Sequence, residues 1–303
     1  MRLDDVKRKI LELKKERKAV ILAHSYQRPE IQDVADFVGD SLDLSFKAKE
    51  TKADIILFCG VKFMAETAKI ISPEKTVLMP APDAGCPMAD MITAEDVKRL
   101  KAKYPGYAVV CYVNSSAEVK AESDICCTSS NAIKVVESLP KDKGVIFIPD
   151  MNLGTYVKNS LKRDNFVLWQ GYCFVHAFVT SEEVKVLKDL HPGAVVMVHP
   201  ECKTEVIALA DHVLSTSGMV RAVKDLPDKE FIIVTEQGIN YPLQNKYPDR
   251  KFYHLNKMTC VNMKKNTIDL VEESLELMRY EIKLDEKLMN RARTALDRML
   301  QVK

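Results

Sequence analysis

The sequence predicts an α/β protein made of three pseudo-threefold-related units, each a three-layer αβα arrangement with a short parallel sheet, around a central active site. The first observation behind this is a repeat. Cys86, Cys173 and Cys260 are separated by 87 residues each, as are Thr93, Thr180 and Thr267, and Pro105 shares the interval with Pro192. Four further columns step by 88 and then 87 residues: His24/Tyr112/His199, Tyr26/Asn114/Glu201, Asp36/Asp124/Asp211 and Ser41/Ser129/Thr216. One near-constant period through this many positions marks an internal repeat. The second observation is the alternation of short apolar runs with helical patterns, which implies parallel sheets covered by helices on both faces. The third is the matched turn signals Tyr104-Pro105-Gly106 and His191-Pro192-Gly193, where one copy gives way to the next. The units are accordingly bounded at 1–104, 105–190 and 191–303.

Each copy opens with a continuous apolar run, at Ala19 to Ala23, Ala108 to Cys111 and Ala194 to Val198, as expected for a strand buried on both faces. A polar segment and a short helix lead to the aspartate column. A Ser/Thr cluster then precedes another helix: Asp40-Ser41, Thr128-Ser129-Ser130 and Ser215-Thr216-Ser217. Second strands are expected at Ile55 to Phe58, Val145 to Ile148 and Phe231 to Val234, followed by a helix, a third strand and the cysteine. Past each cysteine, Thr93-Ala94-Glu95-Asp96 and Thr180-Ser181-Glu182-Glu183 resemble capping boxes, whereas Thr267 has only Asp269 in its first turn. The helix after Thr267 is expected to continue as a charged tail to Lys303.

A net charge of +2, with acids and bases intermixed, argues against a nucleic-acid partner. Met1 to Lys18 reads as an amphipathic helix and lacks the apolar core of a signal peptide. The apolar runs are too short to span a membrane, so a cytoplasmic protein is expected. Eight cysteines in such a chain point to metal or catalytic use rather than to disulfides. Of these, Cys59, Cys111, Cys126, Cys127 and Cys202 follow no period and read as core thiols. His191 and His254 read as turn and strand residues.

Ligands of open α/β sheets bind beyond the carboxyl ends of the strands. The residues after each first strand and the Ser/Thr clusters therefore share a rim, where helix N-termini and the hydroxyls of Ser41, Ser129 and Thr216 suit phosphates and carboxylates. The same residues serve equally as plain N-caps. His24, Tyr26, His199 and Glu201 are candidates for acid–base work. Walker A and G-x-G-x-x-G loops are absent, so ATP and NAD binding lack support. The cysteine column offers one thiolate per unit. Three thiolates could hold zinc with His176 as fourth ligand, or three irons of a [4Fe–4S] cluster with the fourth iron open.

Several motifs are similar to those of the quinolinate synthases. They include His24-Ser25-Tyr26-Gln27, Asp36-Phe37-Val38-Gly39-Asp40-Ser41, Phe58-Cys59-Gly60-Val61, Phe63-Met64-Ala65-Glu66-Thr67 and Pro82-Asp83-Ala84-Gly85-Cys86. Tyr112-Val113-Asn114, Pro149-Asp150, Asn152-Leu153-Gly154, Gly171-Tyr172-Cys173 with His176, His199-Pro200-Glu201-Cys202 and Ser215-Thr216-Ser217 extend the resemblance from about residue 18 to beyond Cys260. The resemblance implies condensation of iminoaspartate (iminosuccinate) with dihydroxyacetone phosphate to quinolinate, with loss of phosphate and water, in NAD biosynthesis. It implies a [4Fe–4S] cluster on Cys86, Cys173 and Cys260, which decides for iron over zinc. It places His24, Ser41, Tyr112, Val113, Asn114, Ser129, His199, Pro200, Glu201 and Thr216 in the substrate pocket, and Tyr26, His24 and Glu201 are the expected catalytic residues by their acid–base chemistry. The enzyme that supplies iminoaspartate is a candidate partner. Another [4Fe–4S] hydro-lyase acting on a small hydroxy acid is the alternative. No cysteine follows Cys260, so thiol control by the C-terminal Cys-x-x-Cys pair of some relatives is not expected.

Overall fold

The structure, a computed structural model, describes residues 3–302. Three four-stranded sheets are present, each wholly parallel and each with one strand order. In the first, β1 (Ala19–His24), β2 (Phe37–Gly39), β3 (Ile55–Cys59) and β4 (Thr76–Leu78) run in the order β2-β1-β3-β4. The second repeats it with β5 (Ala108–Tyr112), β6 (Ile125–Cys127), β7 (Val145–Ile148) and β8 (Phe166–Leu168). The third does so with β9 (Val195–Val198), β10 (His212–Val213), β11 (Glu230–Val234) and β12 (Lys251–His254). Helices cover the sheets, so the architecture is the expected set of αβα units. β1, β3, β5, β7, β9 and β11 coincide with the apolar runs, and each is central in its sheet, where burial on both faces selects continuous hydrophobic sequence.

Each sheet carries one more strand than the sequence suggested. β2, β6 and β10 are three, three and two residues long, too short to show a period. The aspartate column explains how they are held. One carboxylate oxygen of Asp36 accepts the N–H of Ile21 at 2.8 Å, Asp124 accepts that of Val109 at 2.7 Å, and Asp211 that of Val196 at 2.8 Å. In each case the aspartate's own N–H bonds back to the carbonyl of the same strand residue. The column thus pins an edge strand to a central one, a structural role repeated three times. Asp124→Ala should leave the Val109 N–H unpaired and lower stability by about 1–3 kcal/mol, readable as a reduced urea midpoint.

Thr93 and Thr180 close both halves of a capping box, the first with Asp96 as the returning acid. Thr267 makes only the forward bond, to Leu270 N–H, because position N3 holds no acid. The helices they start lean onto the next sheet. Val184, from Ser181–Leu190, packs with Val196, Val198 and Ile232 of the third sheet. Ile268, Val271 and Leu275, from Ile268–Leu277, return to Ile21, Ala23 and Ile55 of the first. There they meet Val6, Ile10 and Leu13 of the N-terminal helix Leu3–Glu16, whose Lys9 pairs with Glu272 at 2.7 Å and Glu276 at 2.8 Å. This return closes the three units into a ring.

The C-terminal tail is not one continuous helix, as the sequence reading had it. Ile268–Leu277 ends at Met278 in the left-handed region (φ 52°), and Tyr280 (φ 66°) turns the chain again. Glu281 then bridges to Leu78, and a separate helix, Glu286–Gln301, starts on the Asp285 cap. Its buried stripe of Ala292, Ala295, Leu296 and Met299 joins the core shared by the first two units, and Arg298 bonds the Asp124 carbonyl at 2.7 Å. Met1, Arg2 and Lys303, at the ends of the expected helices, lie outside the described residues. No helix among the described residues is long and apolar enough to cross a membrane.

Candidate active site

In the β2-β1-β3-β4 order the chain leaves β1 toward one side and β3 toward the other, which opens a crevice at the carboxyl ends of these strands. His24 ends β1, Tyr112 ends β5 and His199 follows β9, so the three crevices present one repeat column. A cavity of about 270 Å³ collects them. His24 and Tyr26, Tyr112 and Asn114, and His199 and Glu201 line it from the turns after the first strands. Ser41, Ser129 and Thr216 reach it from the helix starts, and Cys86, Cys173 and Cys260 from the ends of the units. Val113 and Pro200 are buried in the same turns but do not line it; Val113 gives its N–H to the Cys127 carbonyl at 2.9 Å.

A polar network spans the cavity wall. Glu201 Oε2 lies 2.7 Å from His176 Nδ1 and 3.7 Å from His199 Nδ1, and the two imidazoles stack with centroids 4.5 Å apart. Burial opposes ionisation of Glu201, but His176, His199 and Tyr112 together outweigh it and hold the carboxyl below its ordinary range, so Glu201 is a carboxylate. Its other oxygen, Oε1, is buried without a hydrogen-bond partner, as is Asn114 Oδ1. Native interiors rarely leave such atoms unpaired, so two acceptors stand ready for a ligand. His24 Nδ1 accepts the Tyr26 N–H at 3.2 Å, and His199 Nδ1 accepts that of Glu201 at 3.4 Å, which leaves Nε2–H of each ring as a donor. Burial brings His24 down to about 4 and His199 down to about 3, so both rings are neutral near pH 7. The Tyr26 hydroxyl sits 2.7 Å from both Thr216 Oγ1 and Thr235 Oγ1, and its ring meets His24 edge-on at 4.4 Å. Burial raises Tyr26 well above its ordinary value, and burial with the Glu201 charge does the same for Tyr112, so both phenols are proton donors.

At the meeting of the three helix starts stands Asp40. Its Oδ2 accepts from Ser130 Oγ at 2.7 Å and from Ser215 Oγ at 3.2 Å, while Oδ1 caps its own helix at the N–H groups of Leu42 and Asp43. Ser215 caps the helix Thr216–Asp225 through Gly218 N–H. Two of the three helix starts are thus already capped, and the anion-binding capacity left there lies mainly in the hydroxyls of Ser41, Ser129 and Thr216.

The three cysteines share one local design. Each precedes a short helical turn whose N–H groups face its sulfur: Met88 and Ala89 for Cys86, His176 for Cys173, Asn262 and Met263 for Cys260. Burial still dominates and pushes Cys86 up to about 12 and the other two thiols upward as well. A cation is therefore needed to hold all three as thiolates, which is what a metal supplies. A buried acid braces the third of these loops: Glu236 Oε1 accepts the Cys260 N–H at 3.0 Å. The ligand atoms of Cys173, His176 and Glu201 also lie within 4.8 Å of one another, a compact set able to touch one metal ion.

Asp40, Ser130, Ser215, Thr235 and Glu236 were not singled out from the sequence as site residues. Asp40, Ser130 and Ser215 stand within or beside the Ser/Thr columns, and that proximity was the available signal. Thr235 follows β11 directly, where the other units carry Gly60 and Pro149, and Glu236 comes next, where they carry Val61 and Asp150, so no column runs through all three units at either position.

Three repeated α/β units closed around one cavity, with a cysteine, a helix start and a His- or Tyr-bearing turn from each, define an enzyme with a cysteine-lined centre. The chain belongs to the quinolinate synthetase A protein family, whose model matches residues 8–301. It is 51% identical over 303 residues to a quinolinate synthase of Caldicellulosiruptor bescii, covering all of both chains. It is 54% identical over 295 residues to quinolinate synthase 2 of Methanosarcina acetivorans, covering 97% of this chain and 94% of that one. A quinolinate synthase of Dehalococcoides mccartyi is 53% identical over 298 residues, covering 98% of each.

Proposed function

We propose that this chain condenses iminoaspartate with dihydroxyacetone phosphate to give quinolinate, phosphate and two waters, as a step of NAD biosynthesis. The observation that carries the reading is the convergence of Cys86, Cys173 and Cys260, one per unit, on the cavity that also holds Tyr26, His24 and Glu201. These thiols, each facing helix-turn N–H groups, suit a [4Fe–4S] cluster with three cysteine ligands. When bound, such a cluster supplies a Lewis-acidic iron for a hydroxyl or carboxylate oxygen.

The chain's own residues do the rest. Ser129 and Thr216 hold phosphate or carboxylate oxygens by their hydroxyls, and Asn114 Oδ1 accepts from the imine N–H. Tyr26 starts as a proton donor, since burial holds its phenol protonated, and His24 offers Nε2–H beside it during isomerisation of the triose fragment. Glu201, ionised against His176, removes protons in the dehydrations through its unpartnered Oε1. Donors oriented before the charge develops contribute much of the rate, because they need no reorganisation. Eight free cysteines suit the reducing cytoplasm, and the enzyme that makes the short-lived imine is the natural partner.

The test is anaerobic incubation of iron-loaded protein with dihydroxyacetone phosphate and freshly generated iminoaspartate. Quinolinate and phosphate should appear in equal amounts, and chelation of the iron should stop both. Phosphate release without the pyridine ring would remove this reading.

A further inference from the structure

We infer that Lys120 is a positioning residue: its ammonium, with Glu66 of the first unit as counter-charge, fixes the turn that carries Tyr112 and Asn114. This rests on the reading above, in which Asn114 receives the imine while Tyr26 and His24 work on the triose.

Lys120 has no exposed surface and does not line the cavity, so it acts through its neighbours rather than on substrate. A lysine is almost never fully buried unless its charge is paired. It stands in Ala117–Ala121, the short helix after the β5 turn, and its ammonium reaches back to donate to the Ser115 carbonyl. Ser115 is fully buried as well and donates its hydroxyl to the Tyr112 carbonyl at 2.9 Å. The turn is therefore tied at both ends, and between those ties Tyr112 and Asn114 face the cavity. Asn114 Oδ1 has no protein partner of its own, so the backbone sets where that acceptor points.

The counter-charge comes from another unit. Glu66 is buried on the helix Lys62–Ile71, within Phe63-Met64-Ala65-Glu66-Thr67, a motif with no part in the chemistry above. Its Oε2 accepts the N–H of Ala117, the first residue of the Lys120 helix, at 3.2 Å. Burial opposes both charges, and each favours the other; for Lys120, Glu66 counts for more than Cys111 or Cys126. Phe63, which lines the cavity from the same helix, has its ring 5.4 Å from Lys120 Nζ, within cation–π reach. A buried pair of charges is often no more stabilising than an apolar pair of the same volume. Here the ammonium also holds the backbone of a substrate-facing turn, and the test separates that role from stability.

Lys120→Met keeps the side-chain length and removes the ammonium. Combining it with Glu66→Gln removes both charges and keeps an acceptor for the Ala117 N–H. In the iron-loaded enzyme, K120M should raise KM for iminoaspartate roughly 10- to 100-fold. KM for dihydroxyacetone phosphate and kcat should stay within about threefold, and iron per chain should be unchanged. The urea midpoint should fall, because Glu66 is left buried without its cation. The double variant should regain the midpoint and keep the raised KM, since the bond to the Ser115 carbonyl is still missing. A K120M enzyme with parental KM for iminoaspartate, or with both KM values raised alike, would overturn the assignment. So would a double variant that regains midpoint and KM together. Should K120M not fold, the double variant takes its place with the same kinetic expectation. If the parent makes no quinolinate, the functional reading fails alone. The crystal structure of the double variant then decides: displaced Tyr112 and Asn114 side chains support the role, and unmoved ones end it.

Discussion

Replacing Cys86, Cys173 or Cys260 by alanine, one at a time, is expected to strip iron and sulfide from the anaerobically prepared protein and to lower quinolinate formation at least about 1,000-fold. Loss of groups that merely orient a metal ligand already costs about 10- to 100-fold, and removal of a ligand exceeds that. The three substitutions should act alike because the three sites are alike: a cysteine before a helical turn, N–H groups facing its sulfur, and one shared cavity. The controls lie in the same chain. Cys59, Cys126 and Cys202 are completely buried, and burial pushes their thiols upward. Alanine there trims the core by a sulfur and should leave the iron content intact. Iron retained by Cys260→Ala, or lost from Cys59→Ala at an unchanged melting temperature, would contradict the ligand assignment.

Glu201→Gln is expected to lower kcat by about 100- to 10,000-fold while iron content and KM stay near the parental values. Glutamine keeps the size and one acceptor but cannot take a proton. The ionised state it replaces is held below the ordinary carboxyl range, against burial, by His176 at 2.7 Å together with His199 and Tyr112. Tyr26→Phe offers a comparison. It removes the hydroxyl held by Thr216 and Thr235, and its loss should fall mainly on the triose half of the reaction. Parental turnover in both variants would mean that neither residue carries a proton in the slow step.

Much of the fold could be read from the chain because repetition amplifies weak signals. A single run such as Ala19 to Ala23 is compatible with helix or strand, but three runs at one interval, each before a polar turn, are not accidental. The same reinforcement found the threonine caps, including the lack of a box at Thr267. It failed for β2, β6 and β10, because strands of two or three residues have no period to repeat. It also failed for the tail, where Met278 and Tyr280 adopt the left-handed region without the glycine that usually announces it. The aspartate column was visible as a column, but its job of pinning the edge strands was not. That job depends on which N–H lies opposite once the sheet has formed.

The amino-acid order by itself determined the three-unit plan, the central strands and the cysteine, His/Tyr and Ser/Thr columns, since each is written in local pattern and spacing. Only the tertiary structure decided which of those side chains share a cavity, that Val113 and Pro200 stand behind it, and that Asp40, Thr235 and Glu236 hold its parts together. The physical reason is that hydrogen bonds between units join residues far apart in the chain, 209 positions for Tyr26 and Thr235 and 267 for Lys9 and Glu276. Nothing in either local sequence encodes such a partner. It is fixed when the helix after Thr267 returns to the first sheet and the ring of units closes.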